Sequence, residues 1–211
     1  SARVSDDIDY HWSGDLDEKQ QELVAFLKRA VLPEVRRRLR YDGRAASRTG
    51  SDAESPSLRA VDLAFWREGI PFSRIEIPIE LTRIVCADPV AVRTAGGTVY
   101  PTVSEADMIE SKILAIFNRP VLKHRDIVDV FLFHDRLLPE SIRRLAGKLK
   151  TLGIPMTVVK QKIEDLQTHK AYHARAVQEV IDTQLNPVAV QQIGDAGGGA
   201  AVLEQVMTVL N

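Results

Sequence analysis

The sequence predicts an α+β protein, with a strand-containing N-terminal half followed by a helical C-terminal half. Three observations lead there. Over residues 73–85, Ile75, Ile77, Ile79 and Leu81 alternate with Glu76, Pro78 and Glu80, the period-two pattern of a half-buried strand. From Ser104 onward the apolar residues recur at helical spacing instead, beginning with Met108, Ile109, Ile113, Leu114, Ile116 and Phe117. A length of 211 residues, 45% of them apolar and 27% charged, suits one domain or one domain with a helical appendage, and can bury a sizeable core.

The elements follow in order. Residues 7–12 read as a strand that Gly14 and Asp15 break. Residues 15–40 read as a helix: Leu16, Leu23, Phe26, Leu27, Ala30 and Val31 give it an apolar side, Asp15 and Glu18 fit a capping box, and Pro33 ends or kinks it. Residues 42–57, rich in Gly, Ser, Ala and charge, read as a long mobile loop. Residues 58–65 form a strand, paired through a turn at Gly69-Ile70-Pro71 with the strand at 73–85, where Pro78 predicts an edge or a bulge. Gly96-Gly97 is a turn before a short extended piece at 99–103. Ser104, with Asp107 three residues on, caps a helix that runs to about Asn118 and stops at Arg119-Pro120. Further helices are predicted at 123–136, from 139 onward, at 159–185 and at 200–210, with a break at 153–155 and a glycine-rich linker at 195–199. The domain reading is 1–103 for the strand-containing core and 104–211 for the helical part.

Composition excludes several classes. A net charge of −1 argues against bulk electrostatic attraction to nucleic acid. Locally, residues 28–48 carry eight basic side chains against Glu34 and Asp42, which reads either as a solvated helix face and loop or as a place for a phosphate-rich partner. Cys86 is the only cysteine, so there is no internal disulfide or thiolate metal site, and its apolar neighbours predict a core strand position. No apolar run is long enough to span a bilayer and no signal-peptide pattern opens the chain, so no membrane partner is expected and the cytoplasm is the expected location.

Two clusters carry chemistry. Asp7 and Asp9, two apart in a strand, project from one face, where their mutual repulsion is tolerated if they are solvated or if they hold a divalent cation such as Mg²⁺. Glu76 and Glu80, on the polar face of the long strand, are candidates for a third carboxylate, the alternative being ordinary solvent-facing positions. In the mid-chain helical hairpin, Asp126 and Asp129 share a helix face. Lys112, flanked by apolar residues, either reaches a phosphate or bridges to Asp126 or Asp129. His169 and His173 are four apart on a helix but have no metalloprotease glutamate between them, and read as surface histidines. His11 and His124 read as structural hydrogen bonders, and Trp12 and Trp66 as core aromatics.

In order, Arg3-x-Ser5-x-Asp7-x-Asp9, a β-hairpin, Lys112-x-x-Ala115-x-x-x-Arg119 and Arg125-Asp126-x-x-Asp129 resemble the AbiEii/AbiGii toxin-type nucleotidyltransferase family over residues 1 to about 135. The resemblance implies a polymerase-β-like core, with a small mixed sheet, flanking helices and a helical C-terminal half. It implies an enzyme that takes an NTP with Mg²⁺ or Mn²⁺ and transfers the NMP to an acceptor hydroxyl on RNA, such as a tRNA end, or on protein. The family is similar to toxin halves of bacterial toxin–antitoxin pairs, so an antitoxin partner is expected. By its pattern Asp7 and Asp9 would ligate the metal, with Glu76 as a further candidate ligand. Lys112 would contact the phosphates, Asp126 would complete the catalytic set, and Arg3, Ser5, Arg125 and Asp129 would line the nucleotide site. One departure stands out. The family places a Gly-Gly/Ser segment on a helix just ahead of the D-x-D strand, where backbone amides help hold the triphosphate, and none precedes Arg3 here. The expectation is therefore an upstream segment outside this chain, or weakened triphosphate binding. The alternatives are a catalytically silent relative that binds RNA or a partner protein, and an unrelated α+β protein.

Overall fold

The computed structural model describes residues 8–12, 14–48, 58–70 and 72–210. The chain divides between Ile84 and Val85 into two compact units. It is α+β, as the sequence predicts.

In the first unit, β1 (Ile8–His11), β2 (Asp42–Ser47), β3 (Leu58–Trp66) and β4 (Ile75–Thr82) form a mixed sheet in the order β1-β4-β3-β2. β1 runs parallel to β4, and the other pairs are antiparallel. Period-two alternation sends Val61, Leu63, Phe65, Ile79 and Leu81 to one face, where the helix α1 (Leu16–Phe26) packs with Leu16. Asp15 caps α1 by accepting the Glu18 amide at 2.9 Å. Pro33 does not end the helix. A π-helical turn at Leu27–Val31 leads directly into α2 (Leu32–Leu39), so the ring falls at the start of a fresh segment, where no amide is needed from it. Arg40 then closes α2 in the left-handed region, with φ 59°.

The loop expected from residue 42 begins instead as strand β2. Ala45 is 1% exposed in the core, and a side chain at Gly43 would meet Leu32 at 2.8 Å and Phe65 at 2.9 Å. The smallness that reads as loop composition is what lets this strand lie under the helix. The remainder of that expected loop, 49–57, lies outside the described residues. The pairing of β3 with β4 is as predicted. β4 is nonetheless an inner strand, and the described β1 ladder begins at Ile79, one residue past Pro78. A proline there costs no described β1 hydrogen bond.

In the second unit a hairpin of β5 (Ala91–Ala95) and β6 (Thr98–Thr102) turns at Gly96-Gly97, with φ 55° and 79°. Helices follow: α3 (Glu105–Asn118), α4 (His124–Phe133), α5 (Ser141–Thr151), α6 (Met156–Thr168), α7 (Lys170–Gln184), α8 (Pro187–Asp195) and α9 (Gly198–Leu210). Ser104 caps α3 through the Asp107 amide at 3.0 Å. Ile116, Ile127, Val130, Val177, Ile181 and Leu203 are fully or almost fully buried at the centre of this core. Three expectations are corrected. The single helix expected at 159–185 is α6 and α7, broken at His169. The expected glycine linker overlaps the start of α9: a Cβ on Gly199 would sit 2.4 Å from the Ala174 carbonyl oxygen, so glycine is what allows α9 to lie against α7. Cys86 is exposed between β4 and β5 rather than buried in a strand. Among the described residues no helix is long and apolar enough to cross a membrane.

Candidate functional site

The sheet's second face is polar. Asp9 and Glu80 are register partners on the parallel strands β1 and β4, so both side chains rise from the face opposite the α1 core. Their backbones are about 4.8 Å apart, the normal interstrand spacing. Glu76 is on the same face but four residues along β4, about 13 Å from Glu80. Small residues floor this face: Ala60 opposite Glu80 and Ala64 opposite Glu76. Arg48 donates to Asp62 through Nε at 2.8 Å, and that hydrogen bond, aided by the charges of Glu80 and Glu76, raises the guanidinium pKa further. A cleft of about 450 Å³ opens on this face, with Arg44, Arg48, Asp62, Arg74 and Glu76 in its lining. It is centred on Glu76 rather than on the Asp9–Glu80 pair. A larger depression of about 680 Å³, lined by Arg36, Trp66, Arg67 and Arg74 among others, lies where Asp42 pairs with Trp66, at the opposite end of β4 from Glu80. His11 is structural, as expected: its Nδ1 accepts the Ile84 amide at 3.0 Å.

Paired carboxylates on adjacent strands form an all-oxygen donor set. Such a set fits a hard dication, which takes one or two carboxylates and leaves its remaining positions to water and phosphate. Asp7, Arg3 and Ser5 lie outside the described residues. Glu80, rather than Glu76, is the carboxylate in register with Asp9.

The helical hairpin of α3 and α4 holds the other predicted residues. Lys112 Nζ is 3.1 Å from Asp129 Oδ2, the bridge that the spacing allows. Asp126 is 0% exposed, and Arg119 Nε approaches its Oδ2 at 3.3 Å. Neither Asp126 oxygen has a hydrogen bond among the described residues, and neither does the buried Nε of Arg125. Burial pushes the Asp126 carboxyl above its ordinary range, only partly offset by Arg119, Lys112 and Arg125. Such an acid can hold or release a proton closer to neutrality than an exposed aspartate.

Sequence reading missed a second ionic cluster, on α3 and α5. Asp107 and Glu110 are both 0% exposed and face Arg144 and Lys148. Asp107 also accepts the Ala87 and Asp88 amides at 2.8 and 2.9 Å. Although burial raises it, these hydrogen bonds, above all the one from Lys148, hold its carboxyl at about 2. The available signal was spacing: acids three apart on one helix and bases four apart on another, each pair on a side that also carries core residues. His173, expected at the surface, is buried, and its Nδ1 lies 2.9 Å from His124 Nε2. Burial, with His173 beside it, lowers the His124 pKa.

No family model matches the chain, and no curated protein matches its sequence. Several solved structures are similar in shape. JHP933 from Helicobacter pylori is 14% identical with TM-score 0.45, covering 99% of this chain and 76% of that one. A candidate nucleotidyltransferase from H. pylori is 14% identical with TM-score 0.48, covering 99% and 78%. The nucleotidyltransferase toxin MenT4 from Mycobacterium tuberculosis is 17% identical with TM-score 0.47, covering 100% and 79%.

Proposed function

We propose that this chain is a metal-dependent nucleotidyltransferase that moves an NMP from an NTP to a hydroxyl on RNA, such as a tRNA end, or on a protein. In this reading it acts in the cytoplasm as the toxin half of a bacterial toxin–antitoxin pair. The observation that carries the reading is the register of Asp9, the second acid of the D-x-D pattern, with Glu80 on the polar face of the sheet.

The residues divide the work. Asp7, Asp9 and a third carboxylate, Glu80 before Glu76, would hold Mg²⁺ or Mn²⁺. When bound, such an ion neutralises phosphate charge and aligns the groups for in-line displacement. By the family pattern Lys112 and Arg125 would supply positive charge for the phosphates, and within their own unit Asp129, 3.1 Å from Lys112, holds that ammonium in place. Arg3 and Ser5 add nucleotide contacts. Asp126, its proton affinity raised by burial within its own unit, is the further acid that the family pattern would assign to the catalytic set. Nucleotidyl transfer asks little else of a protein than positioning and charge.

The test is label transfer from each NTP to total RNA and to protein, in Mg²⁺, with the full chain. Asp9→Asn and Asp7→Asn should each lower transfer by roughly 10²–10³-fold, the scale of removing one group that meets developing charge. Glu80→Gln should cost more than Glu76→Gln. Full label transfer in both aspartate variants would reject the metal role.

A further inference from the structure

The break at His169 builds something a continuous helix could not. Asp165 and His173 are eight residues apart, which on a straight helix would separate them by about 12 Å along the axis. His169 instead leaves the helical region, with φ −104° and ψ 31°, between the end of α6 and the start of α7. The chain folds back enough for His173 Nε2 to lie 3.2 Å from Asp165 Oδ2, while His169 Nδ1 lies 2.9 Å from Asp165 Oδ1. One ligand atom from each of the three residues lies within 4.8 Å of the other two. We propose that Asp165, His169 and His173 form a binding site for a transition-metal dication of the zinc class, with His124 on α4 supporting His173 from behind.

The donor chemistry selects the ion. Two imidazole nitrogens and one carboxylate suit Zn²⁺, which takes three protein ligands and one water in open sites. Mg²⁺ prefers oxygen throughout. The site is thus chemically distinct from the carboxylate pair on the sheet and stands whether or not the chain transfers nucleotides. The surroundings meet the other requirements of a metal site. Asp165 and His169 are exposed, which gives an entry path, while His173 is 4% exposed and fixed. A ligating His173 must keep its proton on Nδ1, and that atom lies 2.9 Å from His124 Nε2, where a neutral imidazole accepts it. Tyr172 packs edge-on against both rings and limits their rotation. With the proton placed this way, the Nε2 lone pair of His173 faces a carboxylate oxygen, and a cation between them turns that repulsion into attraction. The ion would join both sides of the helix break and, through His124, tie α4 to the junction.

The experiment strips the full chain with a chelator and titrates it with Zn²⁺, and in parallel with Co²⁺, in excess Mg²⁺ so that carboxylate sites are occupied. One equivalent of Zn²⁺ should bind, Co²⁺ should give the visible absorption of a nitrogen-ligated site, and Zn²⁺ should raise the Tm. His169→Ala removes an exposed side chain and leaves the core intact. It should weaken binding at least about 10-fold, and Asp165→Ala with His169→Ala should abolish the Co²⁺ bands. His124→Phe should weaken binding by roughly 10–100-fold, the usual effect of losing a ligand's hydrogen-bonded support. If the stripped chain binds no Zn²⁺, or if the double variant binds it as tightly as the parent chain, these residues form a hydrogen-bonded relay and the proposal fails.

Discussion

The α3 helix contributes acidic or basic groups to two buried ionic clusters, and they are built on opposite terms. In the cluster shared with α5, every carboxylate is paired with two cations, although Glu110 Oε2 and Arg144 Nε make no hydrogen bond among the described residues. Asp107 has two backbone amides, Arg144 and Lys148, and each oxygen of Glu110 has a cation at 2.8 Å. In the cluster shared with α4, Asp126 is equally buried, yet it has one guanidinium at 3.3 Å and no hydrogen bond among the described residues. Burial raises both carboxyls, and their partners decide the outcome. Asp107 stays ionised down to about 2, while Asp126 is pushed toward its neutral form. A buried carboxylate paired with two cations is a joint in the architecture. A poorly matched one costs stability, because its desolvation is not offset.

Lys148→Ala gives the widest separation between the clusters. It strips a 3% exposed ammonium from two acids that are 0% exposed, and breaking such a buried pair should cost about 3–5 kcal/mol in urea unfolding. Lys112→Ala, at a lysine whose side chain is 30% exposed, should cost far less. Equal losses would erase the distinction. The next effect is on acid stability. The folded carboxyl of Asp107 lies below its ordinary value of 3.8, so its contribution is full above about pH 4 and is lost as pH falls toward about 2. Through this group roughly 2 kcal/mol should disappear across that window. Unfolding midpoints measured between pH 5 and 2 for the parent chain and for Asp107→Asn check it: the variant should show a flatter acid limb.

Much of this organisation was legible in the residues. The α+β class, the β3–β4 pairing, the Ser104 and Asp15 caps and the Lys112–Asp129 bridge follow from periodicities and short-range spacings, which are local physics. Features decided by remote partners were not legible. Gly43 and Ala45 read as loop until Leu32 and Phe65 are placed over them, and Gly199 reads as linker until Ala174 lies against it. The choice between Glu80 and Glu76 as the neighbour of Asp9 needs a parallel register that no single strand encodes. The contrast between Asp107 and Asp126 is likewise invisible, because both are aspartates on amphipathic helices and only their environments differ.

Asp126→Asn makes the smallest change in stability and the sharpest test of that contrast. Because the folded carboxyl titrates above its ordinary value, the folded state binds more protons than the unfolded one in that range, so this group favours folding at low pH and loses ground as pH rises through its folded pKa. At neutral pH the ionised form is the costly one. Asparagine keeps the shape, removes the buried charge and offers an amide N–H₂ but no acidic proton. Stability at pH 7 should therefore stay within about 1 kcal/mol of the parent chain or rise, in contrast with the loss in Lys148→Ala. On the proposed function, transfer of NMP should fall in the same variant, since an acid assigned to the catalytic set is gone. Urea midpoints and label transfer measured side by side on one preparation decide it. A large stability loss with transfer intact would make Asp126 a joint like Asp107, and the difference between the two clusters would be one of geometry alone.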